Sequence, residues 1–378
     1  MKVLISPDSY KGSLSAPEAA RAIKSGLENA SDSFSCRLLP LADGGEGTVD
    51  CLVQAAAGEK IKATVNDPLG RPITAEYGLL REEDRLTAVI EMAAASGLPL
   101  LEKSEQDPMQ TTTYGTGELI KDALLKGADK ILLGIGGSAT TDGGMGMARA
   151  LGAKFFDQAG EELRGIGENL SELDSIELGG LSEAAAEVEI EVACDVDNPL
   201  YGERGAAYVY SPQKGASSEQ VKQLDEGLKN FGRVIKSDLN KDVISTPGAG
   251  AAGGLGAGLQ AFLDATLRSG IDIILNYFNY RELVTDFDLV ISGEGSCDKQ
   301  SLYGKVIGGV AERTSEAEIP LIVIAGNISL EDKEALHKNG VTSLHSLVNK
   351  PLSLEEAMNN TEELLCFTAE ELGNLLLL

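Results

Sequence analysis

The residues with the most chemical content lie in the stretch KILLGIGGSATTDGGMGMARALG at 130–152. Gly134, Gly136, Gly137, Ser138, Thr140, Thr141, Asp142, Gly143 and Gly144 follow an apolar run, Ile131-Leu132-Leu133, and a helical pattern resumes at Met145. Strand, then glycine and hydroxyl turn, then helix brings backbone N–H groups and side-chain hydroxyls to one place, an arrangement suited to an anion. A turn serving close packing is the alternative. Two adjacent threonines and Asp142 are not needed for packing alone.

Acids recur in four other stretches. PDSYKGS (7–13) carries Asp8, Ser9 and Lys11, and ADGGEGT (42–48) carries Asp43, Gly44, Gly45 and Glu46. GEGSCDKQSLYGK (293–305) holds Glu294, Asp298, Lys299, Ser301 and Lys305. VACDVDNPLYG (192–202) sets Asp195 and Asp197 two apart, on one side of the chain if it is extended there. Carboxylates in such loops can hold Mg²⁺ or cap turns, and a nearby lysine can neutralise phosphoryl oxygens. A glycine patch at 247–258, with Gly253 and Gly254 at its centre, either wraps an anion in N–H groups or lets helices pack closely. Lys214 is a further candidate for meeting an anion, although lone lysines are usually solvated.

Other chemistries are excluded. His337 and His345 are the only histidines and lie far along the chain from these stretches, against a histidine metal site or a Ser-His-Asp triad. Any general base is therefore an aspartate or glutamate. Lys+Arg of 32 against Asp+Glu of 59 leaves a net charge of −27, and there is no tryptophan. That surface disfavours nucleic acid and anionic membrane as partners. Five cysteines without CxxC spacing fit a reducing compartment, and no apolar run is long enough to span a bilayer. A cytoplasmic protein is expected.

The positioning elements follow from pattern. Val3-Leu4-Ile5 is a continuous apolar strand, and Ser15-Ala16-Pro17-Glu18 opens a helix with Ala19, Ile23 and Leu27 on one face. A strand at about 37–41 runs into 42–48, DLVIS (288–292) into 293–305, and PLIVIAGN (320–327) follows. Loops after parallel strands are where ligands bind. In between, alternation at 73–79 and at 188–192 predicts antiparallel or edge strands, and the spacing predicts helices over 116–126 and 217–231. The fold class is α/β, with one domain of residues 1–60 and 285–378 and an inserted mixed α/β domain of residues 61–284.

Gly134-x-Gly136-x-x-Ala139 formally matches a dinucleotide fingerprint, with Asp157 at ribose distance. That would make the chain an NAD(P)-dependent hydroxyacid dehydrogenase. The helix should then open inside the motif, yet Thr140 to Gly144 intervene. No Walker lysine is present either.

Taken together, the stretches resemble the bacterial glycerate kinases. Ten blocks match in order: PDSYKGSLSA, ADGGEGTVD, the turn Asp67-Pro68-Leu69-Gly70, EMAAASGL, TTYGTGELI, GIGGSATTDGGMGMA, ACDVDNPL, PQKGA, GAGAAGGLG and GEGSCDKQSLYGK. The resemblance implies ATP- and Mg²⁺-dependent phosphorylation of D-glycerate, mostly to 2-phosphoglycerate. It further implies a flavodoxin-like domain built from both chain ends, an interdomain cleft as active site, and compatibility with a homodimer. On it, Asp43, Asp195, Asp197, Glu294 and Asp298 share metal binding and proton acceptance, and Lys11 and Lys305 meet phosphate or carboxylate. Asp8, Ser9, Gly44, Gly45, Glu46 and the 134–146 loop, with Gly253 and Gly254, bind substrate or nucleotide. Relatives usually read GEGRxD where this chain has Ser296, which leaves a non-catalytic glycerate or phosphate sensor as a further alternative.

Overall fold

Continuous apolar runs become central strands. Val3, Leu4 and Ile5 are buried and pair in parallel with Leu289, Val290 and Ile291 from the other end of the sequence. In the computed structural model, which describes residues 1–45, 47–82 and 85–378, this pair centres a five-stranded parallel sheet. From one edge its strands are Ser343–Ser346, Leu321–Ile328, Leu289–Cys297, Lys2–Ile5 and Ser35–Leu38. Numbered by chain order within the sheet, this is 2-1-3-4-5, the flavodoxin-like order. Its switch point falls between Lys2–Ile5 and Leu289–Cys297.

Helix Ala16–Ala30 starts at a reciprocal capping box, Ser15 with Glu18, a cap contributing about 1 kcal/mol. Its face of Ala19, Ile23 and Leu27 packs with Leu365, Ala369 and Leu372 of the helix Thr361–Leu376. Burying each such leucine or isoleucine stabilises by about 1.5–3 kcal/mol. This unit comprises Met1–Asp43, Asp50–Ala57 and Ser269–Leu378. The return to it begins at Ser269, earlier than the expected 285, because helix Gly270–Tyr277 packs Ile271 and Leu275 over Gly309.

Gly44–Val49 and Gly58–Arg268 form the second unit. Its six-stranded sheet runs Thr266–Arg268, Glu189–Ala193, Lys130–Gly134, Leu86–Glu91, Pro72–Arg81 and Glu59–Asn66. The first four strands are mutually parallel, and the last two are antiparallel additions. The alternation at 73–79 lies in an antiparallel strand. The alternation at 188–192 does not: Glu189–Ala193 is an interior strand with parallel neighbours on both sides. Its wet face is satisfied by charge, since Glu189 pairs with Lys130 and Arg85, and Glu191 with Lys130 and Arg268. Ion pairs across neighbouring strands let acids occupy an internal position that pattern alone assigns to an edge.

Three other boundaries shift. The strand expected at 37–41 is Ser35–Leu38, although Leu39 and Leu41 still donate to the carbonyls of Ile5 and Pro7. The helices expected at 116–126 and 217–231 are Tyr114–Leu125 and Ser218–Leu239. No helix among the described residues is long and apolar enough to cross a membrane.

Candidate active site

In the first unit, the two strands at the switch point deliver carboxylates. Ser6 N–H donates to the Ile291 carbonyl and Asp8 N–H to the Gly293 carbonyl, both at 2.8 Å, so the ladder continues past the end of strand Lys2–Ile5. GEGSC, expected as loop, is instead strand: pairing with Leu321–Ile328 runs on to Cys297 opposite Ile328. Gly293 makes this possible, because a Cβ there would stand 2.3 Å from Tyr10 Oη. That hydroxyl donates to the Ile324 carbonyl at 2.7 Å. Glu294 therefore projects from a strand fixed on both sides.

Negative charge accumulates there. Burial, then Asp43, then Glu294 push the Asp8 carboxyl up to about 7, and the Ser9 amide at 2.6 Å partly holds it down. Glu294 is 6 % exposed and is also raised, first by burial, with Asp298 and Asp43 adding to it. Ser301 and Lys305 oppose that rise. One oxygen of Glu294, Oε1, is buried without a hydrogen-bond partner. An orphaned carboxylate oxygen among like charges calls for a cation. Asp298 is occupied otherwise, since it caps the turn Lys299–Leu302 by accepting from Gln300 N–H at 2.7 Å. Lys305 is half-buried, whereas Lys11, Lys299 and Ser296 are exposed, with Asn327 donating to Ser296 Oγ at 3.3 Å. Cys297 is no nucleophile, because burial pushes its thiol up to about 12.

The expected metal set is divided between the units. Asp195 and Asp197 belong to the second unit and are exposed, with Arg204 beside Asp197 at 3.5 Å. Among the described residues, no three His, Cys, Asp or Glu converge on one metal position. Glu46 lies outside the described residues.

In the second unit, the 134–146 loop surfaces at Gly136 and Gly137 and is then buried from Ser138 to Ala148. Asp142 organises it. Its carboxylate accepts from Thr113 N–H and Oγ1 at 2.7 Å, Gly144 N–H at 3.0 Å and Gly146 N–H at 3.2 Å. Expected at a ligand, Asp142 is thus satisfied by four protein donors. The glycine patch packs on the same loop: a Cβ at Gly253 would lie 2.1 Å from the Thr140 carbonyl oxygen, and Gly143 N–H donates to the Gly253 carbonyl. Gly254 and Gly143 likewise face buried side chains, Leu228 and Phe231. Gly136 is different, for a Cβ there would meet nothing nearer than Gly45 Cα at 3.9 Å. Open space over a loop glycine suits the approach of a ligand to backbone.

Lys214, a candidate for meeting an anion that a lone lysine in sequence supports only weakly, is the residue that sequence reasoning undervalued. It is 1 % exposed and donates to Ser138 Oγ at 2.8 Å and the Thr140 carbonyl at 2.6 Å. Burial pulls its ammonium down to about 7, and Asp142 opposes this. The signal available was its setting, PQKGA, where Pro212 and a left-handed Gly215 bracket a tight turn. The dinucleotide fingerprint fails on geometry: the helix starts only at Met145, and Asp157 is used by the amides of Ala159 and Glu161 in its own turn.

A flavodoxin-ordered sheet with clustered carboxylates at its switch point, joined to a mixed α/β unit with a glycine-hydroxyl loop, has the parts of a small-molecule kinase. The chain belongs to the glycerate kinase family, whose model matches residues 3–377, and it is a kinase enzyme. It is 49 % identical over 96 % of its length to a glycerate kinase of Halalkalibacterium halodurans, covering 95 % of that protein. It is 46 % identical over 97 % of its length to the glycerate 2-kinase of Escherichia coli K12, again covering 95 %. The solved structure of a protein named glycerate kinase 2 from Salmonella typhimurium LT2 superposes with a TM-score of 0.90 at 44 % identity, covering 100 % of this chain and 98 % of that one.

Proposed function

We propose that the chain phosphorylates D-glycerate from ATP with Mg²⁺, giving 2-phospho-D-glycerate. The observation that carries the chemistry is the group of Asp8, Asp43 and Glu294 at the switch point, with its orphaned Glu294 Oε1. The substrate follows from the relatives named glycerate kinase and glycerate 2-kinase.

The acceptor hydroxyl oxygen forms a bond to the γ-phosphorus as the bond to the β,γ-bridging oxygen breaks, and ADP leaves. The hydroxyl proton passes to a carboxylate. Asp8 is the preferred acceptor, because burial, the largest cause of its raised pKa, favours uptake of a proton. Asp43, Asp195 and Asp298 remain in the proposal as alternatives. Glu294, together with Asp43, would hold Mg²⁺, which supplies charge neutralisation on the phosphoryl oxygens when bound. Mg²⁺ commonly takes one or two carboxylates plus phosphate and water, so the absence of a convergent set of three among the described residues is compatible with it. Asp195 and Asp197 stand in the same proposal as second-unit metal ligands. Lys305 and Lys11 neutralise phosphate or the glycerate carboxylate, and Ser138 with the amides at 136–138 binds an anionic group.

ADP release from Mg-ATP, followed with and without D-glycerate and in parallel coupled directly to enolase, tests this. Glycerate-dependent release with an immediate enolase signal is expected. Release without that signal assigns the 3-phosphate, and no dependence on glycerate overturns the reading.

A further inference from the structure

The turn at 211–215 grips the 138–141 segment at three points. Ser211 and Thr141 share a hydroxyl hydrogen bond at 3.1 Å, and Lys214 reaches both Ser138 and Thr140. Thr140 Oγ1 is buried without a partner, so the segment keeps this path at the expense of one of its own hydrogen bonds. Such a cost fits a functional constraint.

The polarity of the Lys214 contact depends on its charge. An ammonium only donates, so Ser138 Oγ accepts from it and must direct its own proton elsewhere. Ser138 retains 8 % exposure and directly follows the exposed Gly136 and Gly137, the first of which has no neighbour nearer to a Cβ than Gly45 Cα at 3.9 Å. We propose that Lys214 is a positioning residue whose ammonium fixes Ser138 as an outward hydrogen-bond donor to an anionic oxygen of the ligand held by the 134–146 loop. This rests on the kinase reading above. The oxygen belongs to the carboxylate of the acceptor substrate or to a phosphoryl group of the nucleotide, which ask for the same donor. A neutral amine would reverse the polarity by accepting the Ser138 proton. Asp142, the titratable group that faces Lys214, favours the charged form.

The test is steady-state kinetics on the full chain, varying D-glycerate and Mg-ATP separately, for wild type, Lys214→Met, Lys214→Arg, Ser138→Ala and the Met/Ala double variant. Lys214→Met and Ser138→Ala each raise one KM, the same one, by about 10-fold, as expected for loss of a charge-assisted hydrogen bond. The double variant is no worse than the poorer single variant, and Lys214→Arg recovers part of the loss. The KM that moves identifies the oxygen. Multiplicative losses in the double variant, or a lowered Tm with both KM values unchanged, overturn the inference. Should Lys214→Met not fold, Lys214→Arg takes its place in the cycle with Ser138→Ala. A wild type without glycerate-dependent ADP release fails the kinase reading instead. Calorimetric titration of the same proteins with ADP and with D-glycerate then decides: coupled losses of affinity support the inference, and independent losses or no binding overturn it.

Discussion

The Asp8 amide donates to the carbonyl oxygen of Gly293 at 2.8 Å, and this bond holds Asp8 beside the strand that carries Glu294. Two acids from opposite ends of the sequence are thereby brought to one switch point, where Glu294 makes ionisation of Asp8 harder.

Replacing Asp8 by Asn removes the proposed proton acceptor while keeping the shape of the site. The expected outcome is a fall in kcat of about 10²-fold or more, with both KM values little changed. Asp43→Asn, Asp195→Asn and Asp298→Asn, measured alongside, identify the acceptor if it is one of them.

Glu294→Gln keeps a group that can satisfy Ser301 but removes the anionic oxygen. The Mg²⁺ concentration for half-maximal rate should rise about 10-fold or more, with activity returning at high Mg²⁺. An unchanged Mg²⁺ dependence would exclude Glu294 as a ligand. The Tm of the metal-free variant should be no lower than wild type, because a buried uncompensated charge has been removed.

Lys214 gives stability a pH dependence of known sign. Its folded pKa is lowered to about 7 from 10.5, so between those values the unfolded chain holds the proton that the folded chain has released. Stability from this group therefore rises with pH across that window. Urea denaturation of wild type and Lys214→Met at pH 7 and pH 9.5 should find wild type gaining on the variant at the higher pH.

Two glycines separate packing from ligand approach. Gly253→Ala forces a methyl onto the Thr140 carbonyl at a φ of +70°, and should destabilise by about 2 kcal/mol or more. Gly136→Ala meets only an ordinary van der Waals neighbour, Gly45 Cα at 3.9 Å, and should change stability by less than about 0.5 kcal/mol. A raised KM at unaltered Tm is expected there.

The strands of the first unit were legible because continuous apolar runs such as Val3-Leu4-Ile5 are nearly unambiguous in a chain of this type. Glu189–Ala193 was not, since alternation reports one wet face and says nothing of strand direction or of the lysine and arginines that neutralise its acids. GEGSC looked like loop because glycine is rare in strands, and only contact with Tyr10 and the Leu321–Ile328 strand explains why glycine is required there.

Residue types alone pointed to acids, and not histidines, as carriers of the chemistry, and to ordered glycine, hydroxyl and acid blocks as binding parts. Chemical identity is local, and these blocks keep it wherever the chain runs. Tertiary structure decided what surrounds each acid. Asp142 is taken up by four protein donors, whereas Asp298 gives one oxygen, Oδ1, to the Gln300 amide. Glu294 is left with an orphaned oxygen, and Lys214 is drawn from solvent to the Ser138 hydroxyl. Burial and hydrogen-bond partners are sums over residues distant in the chain, so no reading of neighbours in sequence could have assigned them.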